Sequence, residues 1–227
     1  SAVEFQQWTT DVTRHRRIKF RIIDLLKCLP EQGHPMDALQ AAVAALGMFY
    51  PGRHVKDIEN NYWSAVRLVA KLPTIVAAWA RLRHGDDPIP PRDDLGFSEN
   101  FLYMLTESVA PSVWAKIFDD CLILHAEHTM NASTFTGLVT ASTLADPYTV
   151  VASSIGALKG PLHGGANEEA VVMLRDIGTA EKARPYVERA LQNKKKLMGF
   201  GHRVYTVKDP RATVLQKLCR RLFKECG

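Results

Sequence analysis

The sequence predicts an all-α protein, and three observations carry that expectation. Apolar residues recur at spacings of three and four through almost every long segment. The punctuation between segments is of helix type, above all an Asp-Pro pair at the head of two of them, and β-turn signals are missing. With 227 residues, 46% hydrophobic and 23% charged, the chain is long enough to bury one substantial core.

Taken in order, Ile18, Ile22, Leu25, Leu26 and Leu29 fall on one helical stripe. IKFRI alone alternates like a strand, but the length of the run favours helix. Residues 61–83 predict a long helix with Trp63, Val66, Ala70, Val76 and Trp79 on its apolar side and a kink at Pro73. The Pro- and Asp-rich residues 85–94 predict a loop. Residues 112–124 are almost continuously apolar, with Val113, Ile117, Cys121 and Leu124 on one face, so a largely buried helix is expected to deliver His125 and His128 into the interior. Asp146 and Pro147 supply an N-cap and a first helical residue for a helix running to the break at Gly160 and Pro161. After that break a helix carries Glu168, Val171, Val172 and Leu174. Asp209 and Pro210 repeat the start signal for a last helix with Val214, Leu215, Leu218 and Leu222.

Composition narrows the function. The longest apolar stretches, residues 74–80 and 150–158, fall well short of the roughly 20 residues that span a bilayer. The opening SAVEFQQWTTDVTRHRR has no apolar signal core, so a cytoplasmic address without a membrane partner is expected. Cys28, Cys121, Cys219 and Cys226 are scattered without a CxxC pair and read as reduced thiols. The net charge of +5 comes from short clusters at residues 14–21, 194–196 and 220–221. That is too little to argue for nucleic acid, but one cluster suits a phosphorylated small molecule.

Three motifs can carry chemistry: LHAEHTMNAST (124–134), GPLHGGANEEA (160–170) and KKKLMGFGHRVYTVKDPRA (194–212). His125 and His128 are three apart and share a helix face near Glu127, but the spacing is not HExxH and a third metal ligand is not evident. Either is a core histidine or a hydrogen-bond donor to an anionic substrate. His163 sits in a turn before a helix, where the macrodipole favours a neutral imidazole that can donate to a carbonyl becoming an enolate. The alternative is a histidine that caps a tight turn. Lys194 to Lys196 beside Gly199-Phe200-Gly201 suit a phosphorylated nucleotide, against the alternative of a solvated face. Arg211 lies in a first helical turn, against the dipole rule, which marks it either as an anion binder or as a surface arginine paired to an acid.

In this order and at these separations, HAEHTMNAST, GPLHGGANEEA and MGFGHRVY with DPRA resemble the most specific stretches of the citrate synthase family. HRRIKFRIIDLL, PEQGHPMDAL and ENFLYML extend the resemblance over effectively the whole chain. The resemblance implies an acyltransferase that condenses acetyl-CoA with oxaloacetate and water, giving citrate and CoA in the first step of the tricarboxylic acid cycle. No metal or resident cofactor is implied, since the CoA thioester is a substrate. Carried onto matching positions, it implies that His128 binds oxaloacetate and that His163 hydrogen-bonds the thioester oxygen. It further implies that His202 polarises and protonates the oxaloacetate carbonyl and that Arg211 holds a carboxylate. Lys195, Lys196, Leu197, Met198 and Gly199 match the CoA-binding strip, and His125 is structural.

The family's architecture implies part of a large helical domain over residues 1–160 and part of a smaller, CoA-binding one over 161–227, with closure about a hinge near Gly160. The family's general base, an aspartate well downstream of DPRA, is expected beyond residue 227, and the chain reads as truncated at both ends. Homodimers or assemblies of dimers are implied, with helix 112–124 a candidate for the interface or for core. Two rival readings are 2-methylcitrate synthase, which uses propionyl-CoA and differs by room for one methylene, and an inactive helical assembly module of the same fold.

Overall fold

A computed structural model describes residues 1–51, 55–127, 129–201 and 205–226. Among them every regular element is a helix: α1 (Ala2–Arg14), α2 (Phe20–Lys27), α3 (Pro35–Gly47), α4 (Ile58–Leu82), α5 (Phe97–Thr106), α6 (Ser112–His125), α7 (Ala132–Ser142), α8 (Pro147–Leu158), α9 (Gly165–Ile177), α10 (Ala180–Gln192) and α11 (Pro210–Cys226). The local start signals work as polar residues at helix heads should. Asp146 accepts the N–H groups of Tyr148 and Thr149 at 3.0 and 3.3 Å, and Asp57 accepts those of Glu59 and Asn60 at 3.0 and 3.3 Å.

The main core is built where α2, α3, α4 and α8 meet. Ile22 and Leu26 of α2, Val43 and Leu46 of α3, Leu68, Ile75 and Trp79 of α4, and Tyr148 and Ile155 of α8 form one buried cluster. A smaller cluster joins Val12 of α1 to Val66 and Ala70 of α4. Two glycines let α8 come close to its neighbours. A Cβ on Gly137 of α7 would stand 2.8 Å from Ser154 Oγ, and one on Gly156 would stand 2.7 Å from Gln40 Nε2 of α3.

The turn between α1 and α2 is pinned to α4 by polar groups inside the fold. Lys71 donates to the carbonyls of His15, at 2.6 Å, and of Arg17, while Thr74 Oγ1 donates to that of Arg16 at 2.8 Å. Arg16 in turn donates to the carbonyls of Arg92 and Leu95 at 2.9 and 2.8 Å, anchoring the loop before α5. Burial, with Lys19 and Arg67 nearby, lowers the Lys71 pKa from 10.5 to about 8.

Several sequence expectations change in the fold. Pro73 lies inside α4, which begins at Ile58 rather than at residue 61 and stays helical on both sides of the proline. Its buried face is broader than the predicted stripe and includes Ser64, Lys71 and Thr74, whereas Val76 is exposed. The second helix is only eight residues long. α6 is not largely buried: Ala115 and Ile117 are inside, but Trp114, Leu122 and Ile123 face outward. A helix apolar all round reads as core in sequence, yet the chain supplies neighbours, α5 and α11, for one side only. His125 is accordingly exposed rather than interior. In α11, Leu215, Leu218 and Leu222 are half-buried and Val214 is exposed.

Candidate functional site

His163 is presented by the turn between α8 and α9. The turn closes through His163 N–H and Gly165 N–H, which both donate to the Gly160 carbonyl, at 2.9 and 3.1 Å. It folds so tightly onto the end of α8 that a Cβ on Gly164 would lie 2.6 Å from the Leu158 carbonyl oxygen. One on Gly165 would lie 2.5 Å from that of Lys159. These contacts are with backbone, so only glycine fits.

The side chain of His163 reaches the head of α7. Nε2 stands 3.3 Å from the Ser133 backbone nitrogen, which donates to it, and 2.9 Å from Ser133 Oγ. Asn131, the N-cap of α7, adjoins Ser133: its Oδ1 accepts the Thr134 N–H at 2.9 Å and stands 2.8 Å from Ser133 Oγ, whose single proton is shared between Oδ1 and His163 Nε2. A backbone N–H can only donate, so Nε2 presents its lone pair and the neutral ring carries its proton on Nδ1. The arrangement leaves His163 a hydrogen-bond donor. Asn131 and Ser133 lie within the first motif, but a polar residue three positions before Thr134 reads in sequence merely as a helix start.

Arg211 stands in the first turn of α11 and spans two motifs. Its Nε and Nη2 meet the Asp209 carboxylate at 3.1 and 2.7 Å, and its Nη1 donates to the Leu124 carbonyl at 3.3 Å, at the end of α6. The fork on Asp209 raises the guanidinium pKa above its ordinary value. The arginine is thus paired to an acid and is also turned toward the first motif. His125 Nδ1 donates to the Cys121 carbonyl at 2.6 Å, one turn back on its own helix, which suits a structural histidine.

Lys195 and Lys196 are exposed, Leu197 and Met198 half-buried, and Gly199 exposed. The strip is shaped by positive φ at Lys194 (53°), Gly199 (83°) and Gly201 (79°). It rests on the second motif: a Cβ on Gly199 would come 3.6 Å from Ala170 Cβ of α9. The three motifs thus meet pairwise, through Ser133 with His163, Ala170 with Gly199, and Leu124 with Arg211. His128 and His202 lie outside the described residues. Among the described residues no group of three or more His, Cys, Asp or Glu is placed to hold a metal ion. A cleft of about 210 Å³ beside Arg17, Thr74 and Pro90 lies away from all three motifs.

Fold and geometry together define an all-helical protein in which three loop motifs meet at the edge of its core. Over residues 1–227 the chain matches the family described as citrate synthase, C-terminal domain. It belongs to the citrate synthase family. A citrate synthase of Synechocystis sp. is 58% identical over 224 residues, covering 99% of this chain and 56% of that relative. One of Acidithiobacillus ferridurans is 47% identical, covering 95% and 57%. The crystal structure of citrate synthase from Pyrobaculum aerophilum superimposes with a TM-score of 0.89 at 41% identity, covering 100% of this chain and 59% of that one. The chain therefore spans somewhat more than half the length of the relatives it matches.

Proposed function

We propose that the polypeptide containing this chain is a citrate synthase, an acyltransferase that joins the acetyl methyl carbon of acetyl-CoA to the ketone carbon of oxaloacetate and then hydrolyses the thioester. The observation that carries the reading is the meeting of the three motifs, with His163 Nε2 occupied by Ser133 and its Nδ1 proton left to donate. A thioester methyl is a very weak carbon acid, so its proton leaves only if the forming enolate oxygen meets a donor already in place. His163 is that donor. His128 and Arg211 bind oxaloacetate, and His202 polarises its carbonyl and protonates the new alkoxide. Lys195 to Gly199 hold CoA, with Lys195 and Lys196 facing its phosphates. As the family resemblance implies, the base that takes the methyl proton is an aspartate downstream of DPRA, in the part of the relatives' length that this chain does not span; Asp209 is committed to Arg211. No resident cofactor enters this scheme.

The same reading places residues 1–160 in a large domain and 161–227 in a smaller one that closes over it. It also gives a homodimer, supported by exposed apolar residues on α6 and on α7. Ile123 is 70% exposed, Phe135 60%, and Leu138 and Val139 52% each, more uncovered apolar surface than isolated residues explain. A cytoplasmic location accords with the observation that no described helix is long and apolar enough to cross a membrane.

A thiol-release assay on the full-length polypeptide, with oxaloacetate and either acetyl-CoA or propionyl-CoA, tests this function. Turnover with acetyl-CoA preferred supports it, and preference for propionyl-CoA makes the protein a 2-methylcitrate synthase. No turnover with either leaves an assembly module. Light scattering gives the mass of two chains if the subunits pair.

A further inference from the structure

The turn that carries His163 is flanked by two polar links to one place, the start of α3. On one side Lys159, the C-cap of α8, donates to both carboxylate oxygens of Asp37 at 2.6 and 2.7 Å. On the other, Glu168 in the first turn of α9 lies 2.9 Å from His34 Nε2. His34 is the N-cap of α3, and its Nδ1 accepts the Met36 N–H at 3.1 Å. A neutral ring that accepts at Nδ1 holds its proton at Nε2, so His34 donates to Glu168 and both ring nitrogens are committed.

The two links differ in what they add. Asp37 and Lys159 join helices that already share the main core, through Ala38, Val43, Ala152 and Ile155. α9 has no buried residue. Among the described residues, His34 to Glu168 is the only side-chain hydrogen bond from α9 to the helices before it. As a stabilising contact an exposed pair of this kind is worth little. Its effect is on where α9 begins, and the turn between the links has His163 near its middle.

The geometry points to His34 as a positioning residue for His163. From the cap of α3 it holds Glu168, which fixes the start of α9 and so the direction in which the turn offers the Nδ1 proton. This rests on the reading of the reaction given above. Substrate binding by the other two motifs does not pass through this link, so its loss acts on the chemical step.

The test uses full-length protein and three single variants. His34→Asn retains a capping side chain but is too short to reach Glu168, Glu168→Ala removes the acceptor, and Glu168→Gln keeps an acceptor oxygen. His34→Asn and Glu168→Ala are each expected to lower kcat about tenfold with little change in the oxaloacetate KM, since small misplacements of a reacting group act on kcat. The double variant is expected to be no worse than either single one, and Glu168→Gln to remain within about twofold of the parent. Additive losses, or Gln as damaging as Ala, would overturn the proposal. Amide exchange at Gly165 without substrate separates this from the reaction itself. If the parent enzyme is inactive, faster exchange in Glu168→Ala but not in Glu168→Gln still upholds the tether, and equal exchange in all variants overturns it.

Discussion

The helices α2, α3, α4 and α8 and the helices α9 to α11 are built on different terms. The first group shares a core in which Leu26, Val43, Leu46 and Ile75 are completely buried. In the second, α9 buries nothing and α10 buries only Ala190, and the region is held by close backbone approach, by Arg211 and by His34. The difference teaches where stability resides. A packed scaffold fixes Lys159, and under the proposed function the loosely attached helices carry the loops that meet and release substrates.

The contrast can be broken by substitution. Leu46→Ala, in the packed half, is expected to cost about 2–5 kcal/mol in denaturant unfolding. A cost near zero would show that the core is not where stability lies. In the loosely attached half, His163→Ala is expected to lower kcat about 100-fold or more in thiol release, the loss typical of removing one oxyanion donor, while leaving unfolding almost unchanged. Lys71 provides an effect of on the order of 1–3 kcal/mol that belongs to the scaffold alone. Its pKa is about 8 in the fold against 10.5 ordinarily. Between those values the unfolded chain holds a proton that the folded one has released, so this contribution rises with pH and is lost as pH falls through about 8. Unfolding measured at pH 8 and pH 10 should show the parent gaining stability relative to Lys71→Met. Leu174→Ala, at a 62% exposed position of α9, should shift unfolding by less than about 0.5 kcal/mol.

Much of this was legible in the sequence, for reasons that differ by region. Helix heads with their own chemistry, Asp146-Pro147 and Asp209-Pro210, are local signals and correspond to α8 and α11. The all-α class and the family followed from periodicity and from three motifs. What failed depended on partners far away in the chain. Val76 and the outer face of α6 follow the apolar pattern of a core, but among the described residues they stay partly uncovered. Lys71 breaks the pattern, yet the carbonyls of His15 and Arg17 take it inside. Ser133 and Asn131 look like any helix start until the turn holding His163 folds back, 30 residues later, onto Ser133. For Arg211 the sequence offered pairing to an acid as one of two readings, but did not single out Asp209, which reads there as a cap.

The central claim is that the three motifs form one site for oxaloacetate and an acetyl thioester. A crystal structure of the full-length protein with oxaloacetate and a non-reactive acetyl-CoA analogue tests it most directly. Oxaloacetate is expected within about 3.2 Å of His128, His202 and Arg211, and the thioester oxygen at hydrogen-bond distance from His163 Nδ1. Oxaloacetate bound elsewhere, or a thioester oxygen facing away from His163, would contradict it.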